Sequence, residues 1–384
     1  YRAKLEKIPV VLASATPSLE TLKNVKEEKY KLLKLNKRAT GANLPTYHAV
    51  DLKGKELHEG LSKELLEATQ TELDKGNQVL IFLNRRGYAP SMICKACGWI
   101  SNCDRCDALM TVHKNPLKLH CHHCEAQKPY PSKCPSCGSD DFLTYGFGTE
   151  RVEEFLRGHF PDTKTLRIDS DSTRKKESLN EYFDEIKKGE PIILLGTQLL
   201  AKGHHFPNVT LVGIIDADSG LFSADFRGSE RVAQLMTQVA GRAGRDKKPG
   251  RVILQSYCLD HPQIEEIITG SYEKFAKKLL EERKSYKIPP FSFQAKIFAE
   301  SPKSLVSRDF ILKLLNQSKI EKQISSNVRI VGPLPSIMEK KSGVYRWELS
   351  IFSSSRSNLH KFLDVMQSRL YEPKLTKQVR WSID

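Results

Sequence analysis

Gln78-Val79-Leu80-Ile81-Phe82-Leu83 is an almost unbroken apolar run, preceded by Gly76-Asn77. A strand reads this way when helices cover both faces of its sheet, because neither face meets water. Upstream, Leu61 to Leu73 sets apolar residues at 61, 65, 66 and 73, the spacing of an amphipathic helix that Gly76-Asn77 stops. Downstream the two periods alternate. Helices are expected over Arg151–Phe160, Arg174–Lys188 and Ser229–Ala240, and strands over Thr165–Asp169, Ile192–Leu195, Leu211–Asp216 and Val252–Ser256. Strands alternating with helices of this length predict an α/β fold, a parallel sheet with crossover helices. Nearer the start, Ile8–Ala13 reads as a short buried strand. Ser14-Ala15-Thr16-Pro17-Ser18 follows, with Thr16 or Ser18 capping a helix that carries Leu19, Leu22 and Val25. From about residue 259 the texture changes to a long charged helix, Glu265–Lys287, then short strands and two further helices, a small α+β domain.

A chain of 384 residues has room for two or three domains. Hydrophobic residues at 39% and charged ones at 28% fit a soluble globular protein and exclude disorder. No apolar run reaches the roughly 18–20 residues that span a bilayer, and no signal segment opens the chain, so membrane and secretory classes are not expected. The first residue is Tyr1 rather than Met, which reads as a fragment whose N-terminal part is missing. Sixty-one Lys and Arg against 46 Asp and Glu give +15, the balance of a protein with a polyanionic partner, most commonly nucleic acid.

Between about 93 and 142 apolar periodicity fails and Cys, His and Pro take over, so that stretch reads as an insertion into the sheet. Eight of the nine cysteines lie there as four C-x-x-C pairs: Cys94 and Cys97, Cys103 and Cys106, Cys121 and Cys124, Cys134 and Cys137. Clustering of this kind without a secretory signal favours metal over disulfides. Each pair is a zinc knuckle, and Gly98 and Gly138 directly after two of them suit the turn. Pairing the first knuckle with the second is tight. The nested choice puts Cys103, Cys106, Cys121 and Cys124 on one zinc and Cys94, Cys97, Cys134 and Cys137 on the other; the interleaved pairing stays open. Four thiolates per ion leave no place for water, so the two zinc ions are expected to be structural, with an iron–sulfur cluster as the rival. Eight thiolates and two zinc dications still leave the chain basic. Cys258 reads as a core residue, and His113, His120, His122 and His123 as surface residues.

Gln238-Val239-Ala240-Gly241-Arg242-Ala243-Gly244-Arg245 ends the helix expected over 229–240. Two arginines three apart among small residues can project at one anionic target, and guanidinium matches phosphate. The segment resembles motif VI of superfamily 2 helicases. Ser14-Ala15-Thr16-Pro17 resembles motif III, and Asn84-Arg85-Arg86-Gly87-Tyr88 motif IV. Leu195-Gly196-Thr197-Gln198 with Ala201-Lys202-Gly203-His204-His205-Phe206-Pro207 resembles motif V. An eight-cysteine insertion directly after the fourth motif is far more restrictive. Together they resemble the PriA family, the primosomal replication-restart helicases of bacteria. Ile288-Pro289-Pro290-Phe291, Val331-Gly332-Pro333-Leu334-Pro335 and Tyr345-Arg346-Trp347 resemble that family's C-terminal domain.

The resemblance implies a RecA-like helicase lobe with an inserted two-zinc module and a C-terminal α+β domain. The segments would be 1–36, the end of the first lobe; 37–92 and 143–258, the second lobe; 93–142, the zinc insertion; and 259–384, a DNA- and partner-binding domain. It implies a cytoplasmic ATP-dependent 3′→5′ DNA helicase that recognises stalled or branched forks and initiates primosome assembly. Arg242, Arg245 and Gln238 would be the catalytic residues of the ATP site and Gly203 and Gly241 would bind the nucleotide, with Gln238 and Gly203 also coupling its state to DNA. Arg85, Arg86, Thr197 and Lys202 would meet phosphates of the tracking strand. ATP and Mg would be substrate and cofactor of the longer protein. No G-x4-G-K-[ST] loop and no D-E-x-H strand end occurs in the 384 residues, so the chain alone is expected to be inactive. Single-stranded-DNA-binding protein would be engaged through its acidic tail at a basic pocket in residues 290–384, in which Arg356 is a candidate but no contact is assigned, alongside other primosome proteins. The rival readings are a non-catalytic zinc-ribbon module and another superfamily 2 translocase.

Overall fold

Strand Gln78–Phe82 lies inside a six-stranded sheet and is buried along its whole length. The strand order is Thr46–Asp51, Arg251–Ser256, Val209–Ile214, Gln78–Phe82, Ile192–Gly196, Lys164–Ile168, and every pairing is parallel. The computed structural model describes residues 2–35, 44–83, 91–114, 117–145, 149–168, 176–197, 206–215, 217–218, 225–244, 248–269, 271–318, 327–370 and 378–384. The chain divides into two units, Tyr1–Gly87 with Thr149–Leu280 and Tyr88–Gly148 with Glu281–Asp384.

In the first unit, helix Lys63–Asp74 is capped by Ser62, whose Oγ accepts from Leu65 N, and buries Leu65, Leu66, Ala68 and Leu73. Gly213, in the strand beside Gln78–Phe82, makes room for it: a Cβ there would meet Leu65 Cδ1 at 2.7 Å and Ile81 Cδ1 at 3.0 Å. Helix Gly228–Ala240 contributes Val232, Met236 and Val239 to a core that also holds Leu80, Phe82, Leu194, Val212 and Leu254. Each such side chain contributes about 1.5–3 kcal/mol by burial.

Three elements differ from the sequence pattern. Ile8–Ala13 forms no strand, and Val10, Val11 and Leu12 are exposed. An apolar run becomes a strand only against a neighbour that takes its hydrogen bonds, and among the described residues none of the three sheets offers one to this segment. Thr46–Asp51 is a strand that its polar sequence hides, because it is the sheet edge and buries only Val50. The long helix expected over Glu265–Lys287 is two, Pro262–Thr269 and Tyr272–Ser285, the second begun by Ser271 Oγ accepting from Lys274 N.

The second unit carries two antiparallel sheets. The Cys-rich stretch forms five short strands in the order Gln127–Pro129, Leu117–His120, Thr111–Lys114, Ser91–Cys94, Phe142–Tyr145. The C-terminal stretch forms Phe293–Ser301, helix Ser304–Ser318, hairpin Arg329–Lys341/Val344–Ser353, helix Arg356–Leu370 and Arg380–Ile383. This β-α-β-β-α-β arrangement packs Ile297, Phe310, Leu314, Leu349, Phe362 and Met366 between sheet and helices. The overall class is thus α/β with a parallel sheet, a Cys-rich module and a C-terminal α+β domain.

Candidate functional site

Eight thiols gather into two clusters in the second unit. Cys94 ends its strand, and the following turn comes back through Gly98, whose amide donates to Cys94 O at 2.8 Å with φ +75°. The turn recurs at Cys134, where Gly138 N donates to Cys134 O at 2.9 Å with φ +78°. That backbone costs an L side chain about 1–2 kcal/mol and spares glycine. Pairing of Ser91–Cys94 with Phe142–Tyr145 sets Cys94 opposite Phe142, so the first and last knuckles meet. Cys94 Sγ lies 3.6 Å from Cys137 Sγ, and Cys97 Sγ 3.7 Å from Cys134 Sγ. The hairpin Thr111–Lys114/Leu117–His120 brings Cys121 and Cys124 back to the second knuckle, with Cys103 and Cys124 sulfurs 3.7 Å apart.

In each group all four sulfurs lie within 4.8 Å of one another. Four sulfurs on one zinc at Zn–S about 2.3 Å stand about 3.8 Å apart, so the donor sets fit a tetrahedral ion. The fold brings the knuckles together in the nested order, not the interleaved one. The thiols crowd one another's protons. Against the Ser139 amide, which lowers it, the Cys97 sulfur and burial push Cys137 up to about 12. Against burial, the amides of Cys137 and Ser136 with the nearby sulfurs draw Cys134 down to about 7. A dication that takes the protons' place removes this conflict.

Backbone amides support the sulfurs. Arg105 N donates to Cys103 Sγ at 3.4 Å and Ser136 N to Cys134 Sγ at 3.4 Å. A third comes from the far end of the sequence: Ser342 N, at the tip of the C-terminal hairpin, donates to Cys106 Sγ at 3.2 Å. Lys340 N donates to Asp107 Oδ2 at 2.5 Å, Asp107 N to Lys340 O at 2.8 Å, and Gly343 N to Arg105 O at 2.7 Å. Reading the sequence missed this seat, since nothing in the cysteine spacing points to a hairpin 236 residues away. Two other expectations change. Cys258 is half-buried, not a core residue, because it lies just past strand Arg251–Ser256. His120 is buried at 8% exposure, not on the surface, because its strand is interior to the five-stranded sheet.

In the first unit, Gln238 Nε2 donates to Thr16 Oγ1 at 2.9 Å, so residues of the two motif-like segments touch. Gln234 Nε2 donates to Thr16 O at 3.3 Å, Tyr272 Oη to Pro17 O at 2.8 Å, and Leu19 N to the buried Glu230 at 3.0 Å. Ser18, not Thr16, caps helix Leu19–Lys26 and leaves the Thr16 hydroxyl for Gln238. Glu230, Gln234 and Tyr272 were not legible as site residues, because each acts through a contact remote in sequence.

Gly241 ends helix Gly228–Ala240, and Arg242 behind it is buried at 5% exposure. Gly244, at φ +61°, lies against Gly250, whose N would stand 2.3 Å from an added Cβ. Gly244 N donates to Val209 O at 2.9 Å, which fixes the turn at the amino end of the parallel strands. Thr197 follows Gly196, at the carboxyl end of strand Ile192–Gly196. Arg85, Arg86, Lys202, Gly203 and Arg245 lie outside the described residues.

Family models match three stretches: the primosomal protein N C-terminal domain over residues 284–384, the PriA DNA helicase Cys-rich region over 103–129, and the helicase conserved C-terminal domain over 139–247. The replication restart protein PriA of Haemophilus influenzae is 46% identical over 377 residues, 98% of this chain and 51% of that protein. That of Rickettsia conorii is 41% identical over 97% of this chain and 57% of its own length, and that of Bacillus subtilis 36% identical over 100% and 48%. The chain spans about half the length of the curated relatives it matches.

Proposed function

The chain belongs to the PriA family over the residues it spans, and from that premise we propose that it is part of an ATP-dependent DNA helicase for replication restart. In this reading the protein moves 3′→5′, recognises stalled or branched forks and initiates primosome assembly in the bacterial cytoplasm, at the nucleoid. No helix among the described residues is long and apolar enough to cross a membrane. The observation that carries the reading is the Gln238–Thr16 hydrogen bond, joining the segment at the end of the first lobe to the second lobe, whose sequence is interrupted by the Cys-rich module.

Arg242 and Arg245 complete the ATP site and stabilise charge on the transferring γ-phosphate. The burial of Arg242 supports this, because a guanidinium away from water acts more strongly on phosphate. Gly203 and Gly241 bind the nucleotide, and Gln238 with Gly203 relays its state toward Thr16 and the DNA side. Arg85, Arg86, Thr197 and Lys202 hold phosphates without reading bases, as a motor on any sequence requires. Cys94, Cys97, Cys134 and Cys137 hold one zinc and Cys103, Cys106, Cys121 and Cys124 the other. Each ion, when bound, supplies a structural cross-link.

ATP and Mg are substrate and cofactor of the longer family member. The 384 residues contain no phosphate loop, so we expect this chain alone to bind DNA and zinc without hydrolysing ATP. Arg356, exposed at the start of its helix with its guanidinium 5.7 Å over the Phe293 ring, suits the acidic tail of single-stranded-DNA-binding protein. In the longer protein, Arg242→Ala or Arg245→Ala should lower ATP turnover on the order of a thousandfold with DNA affinity largely kept. Near-normal turnover in both variants would sink the motor assignment. DNA affinity of this +15 chain should fall steeply with salt as phosphates shed counterions.

A further inference from the structure

Beside the Cys103–Cys124 cluster stands a second group of ligand-bearing side chains that neither the cysteine sites nor the motor uses. His113, His120 and His122 bring ring nitrogens within 4.8 Å of one another. His113 Nε2 and His122 Nε2 are 3.2 Å apart. The two rings share a hydrogen bond at that distance, and two nitrogens bound to one tetrahedral ion at 2.0–2.1 Å stand about 3.3 Å apart, so an ion can take the place of the shared proton with little movement.

The fold sets the group up. Thr111 pairs with His120 and His113 with Lys118 across the hairpin, which puts His113 and His120 on one face. The chain then turns at Cys121 and returns His122 to that face, its ring centroid 5.2 Å from that of His113 and 4.7 Å from that of His120. The three rings meet at 54°, so face-to-face stacking does not explain their gathering. Lys118 turns its ammonium to Gln127 Oε1 at 3.1 Å.

Glu125 supplies a second, independent observation. Its Oε2 lies 2.9 Å from His120 Nε2. Its φ is +60°, and its amide closes the knuckle on Cys121 O at 2.8 Å, as Gly98 and Gly138 close theirs. Where two knuckles use glycine, this one keeps a carboxylate at a strained position, and such strain gathers at functional positions. The neighbouring four-thiolate site, once it holds zinc, is doubly negative and favours a further cation close by.

We propose that His113, His120 and His122 form a third metal site for an imidazole-preferring divalent ion of the zinc, nickel and copper class, with Glu125 as its counter-charge. Three protein ligands leave a coordination position for solvent, so this ion exchanges while the cysteine-bound ions do not. The inference stands on the hairpin geometry alone and is independent of the helicase reading.

Tag-free chain with both cysteine sites filled by zinc is titrated with cobalt(II), followed by visible absorption and equilibrium dialysis. One further equivalent should bind, giving d–d bands of nitrogen and oxygen ligands without thiolate charge transfer. His113→Gln together with His122→Gln should abolish that equivalent while both cysteine-bound zinc ions and the circular dichroism are kept. Glu125→Gln should weaken it about tenfold, as loss of a metal site's supporting carboxylate does. The proposal is overturned if no further equivalent binds, if binding survives the double substitution, or if charge-transfer bands show cobalt entering the cysteine sites. Cobalt spectra of the single His113→Gln variant serve as the readout if the double variant does not fold.

Discussion

The parallel sheet of the first unit and the five-stranded sheet of the Cys-rich module are of similar strand number and are held by different physics. Gln78–Phe82, Ile192–Gly196 and Val209–Ile214 are buried at every position. Strand Gln127–Pro129 has no buried residue, and Leu117–His120 is buried only in its second half. The module's small core, Met92, Met110, Val112 and Leu119, is completed by Cys103, Cys106 and Cys121. In the first sheet apolar area does the holding, at about 25 cal/mol per Å². In the second, ligand bonds replace area that the sequence does not contain, which is why thiols occupy core positions.

The largest expected effect therefore belongs to the metal. Strong chelation, or Cys103→Ser, should remove on the order of 10–16 kcal/mol of metal-linked folding free energy from its site. Hydrogen exchange should then lose protection across 91–145 and keep it in Gln78–Phe82, Ile192–Gly196 and Val209–Ile214. Loss in both sheets together would break the comparison. Metal analysis of Cys103→Ser should find one zinc in place of two.

Next is Gly244→Ala, where the new Cβ meets the backbone of Gly250 and the residue sits at φ +61°. Unfolding by denaturant should show a loss of about 3 kcal/mol confined to the first unit, with zinc content unchanged. A shift under half that size would mean the turn relaxes at little cost.

A smaller effect tests the contact between the helicase-like segments. Thr16→Val and Gln238→Ala should show a coupling of about 1 kcal/mol in a double-mutant cycle, the net worth of one hydrogen bond. Additive effects would make the contact incidental. Of the same size is Glu125→Gly, which relieves a left-handed backbone at φ +60° and should stabilise the zinc-loaded module by about 1 kcal/mol. Calorimetry that shows destabilisation would mean the Glu125–His120 contact outweighs the strain.

Periodicity alone determined the parallel α/β lobe, because strands such as Gln78–Phe82 and helices such as Lys63–Asp74 declare their burial in their own residues. Chemistry alone singled out the candidate metal ligands, since C-x-x-C pairs have little other use at that density. Spacing left nested and interleaved pairing open, and the strand pairing that sets Cys94 beside Phe142 chose the nested one. Ile8–Ala13 is no strand and Thr46–Asp51 is one that no pattern announced, because whether a segment is a strand depends on the neighbour that receives its hydrogen bonds, which no local window contains. The same holds for the Gln238–Thr16 contact, the Ser342 amide on Cys106 and the gathering of His113, His120 and His122. Each joins residues whose types were visible in the sequence. Their distances became short only when sheets, turns and knuckles fixed the backbone between them, because a side chain's partner is set by the path of the chain and not by its own chemistry.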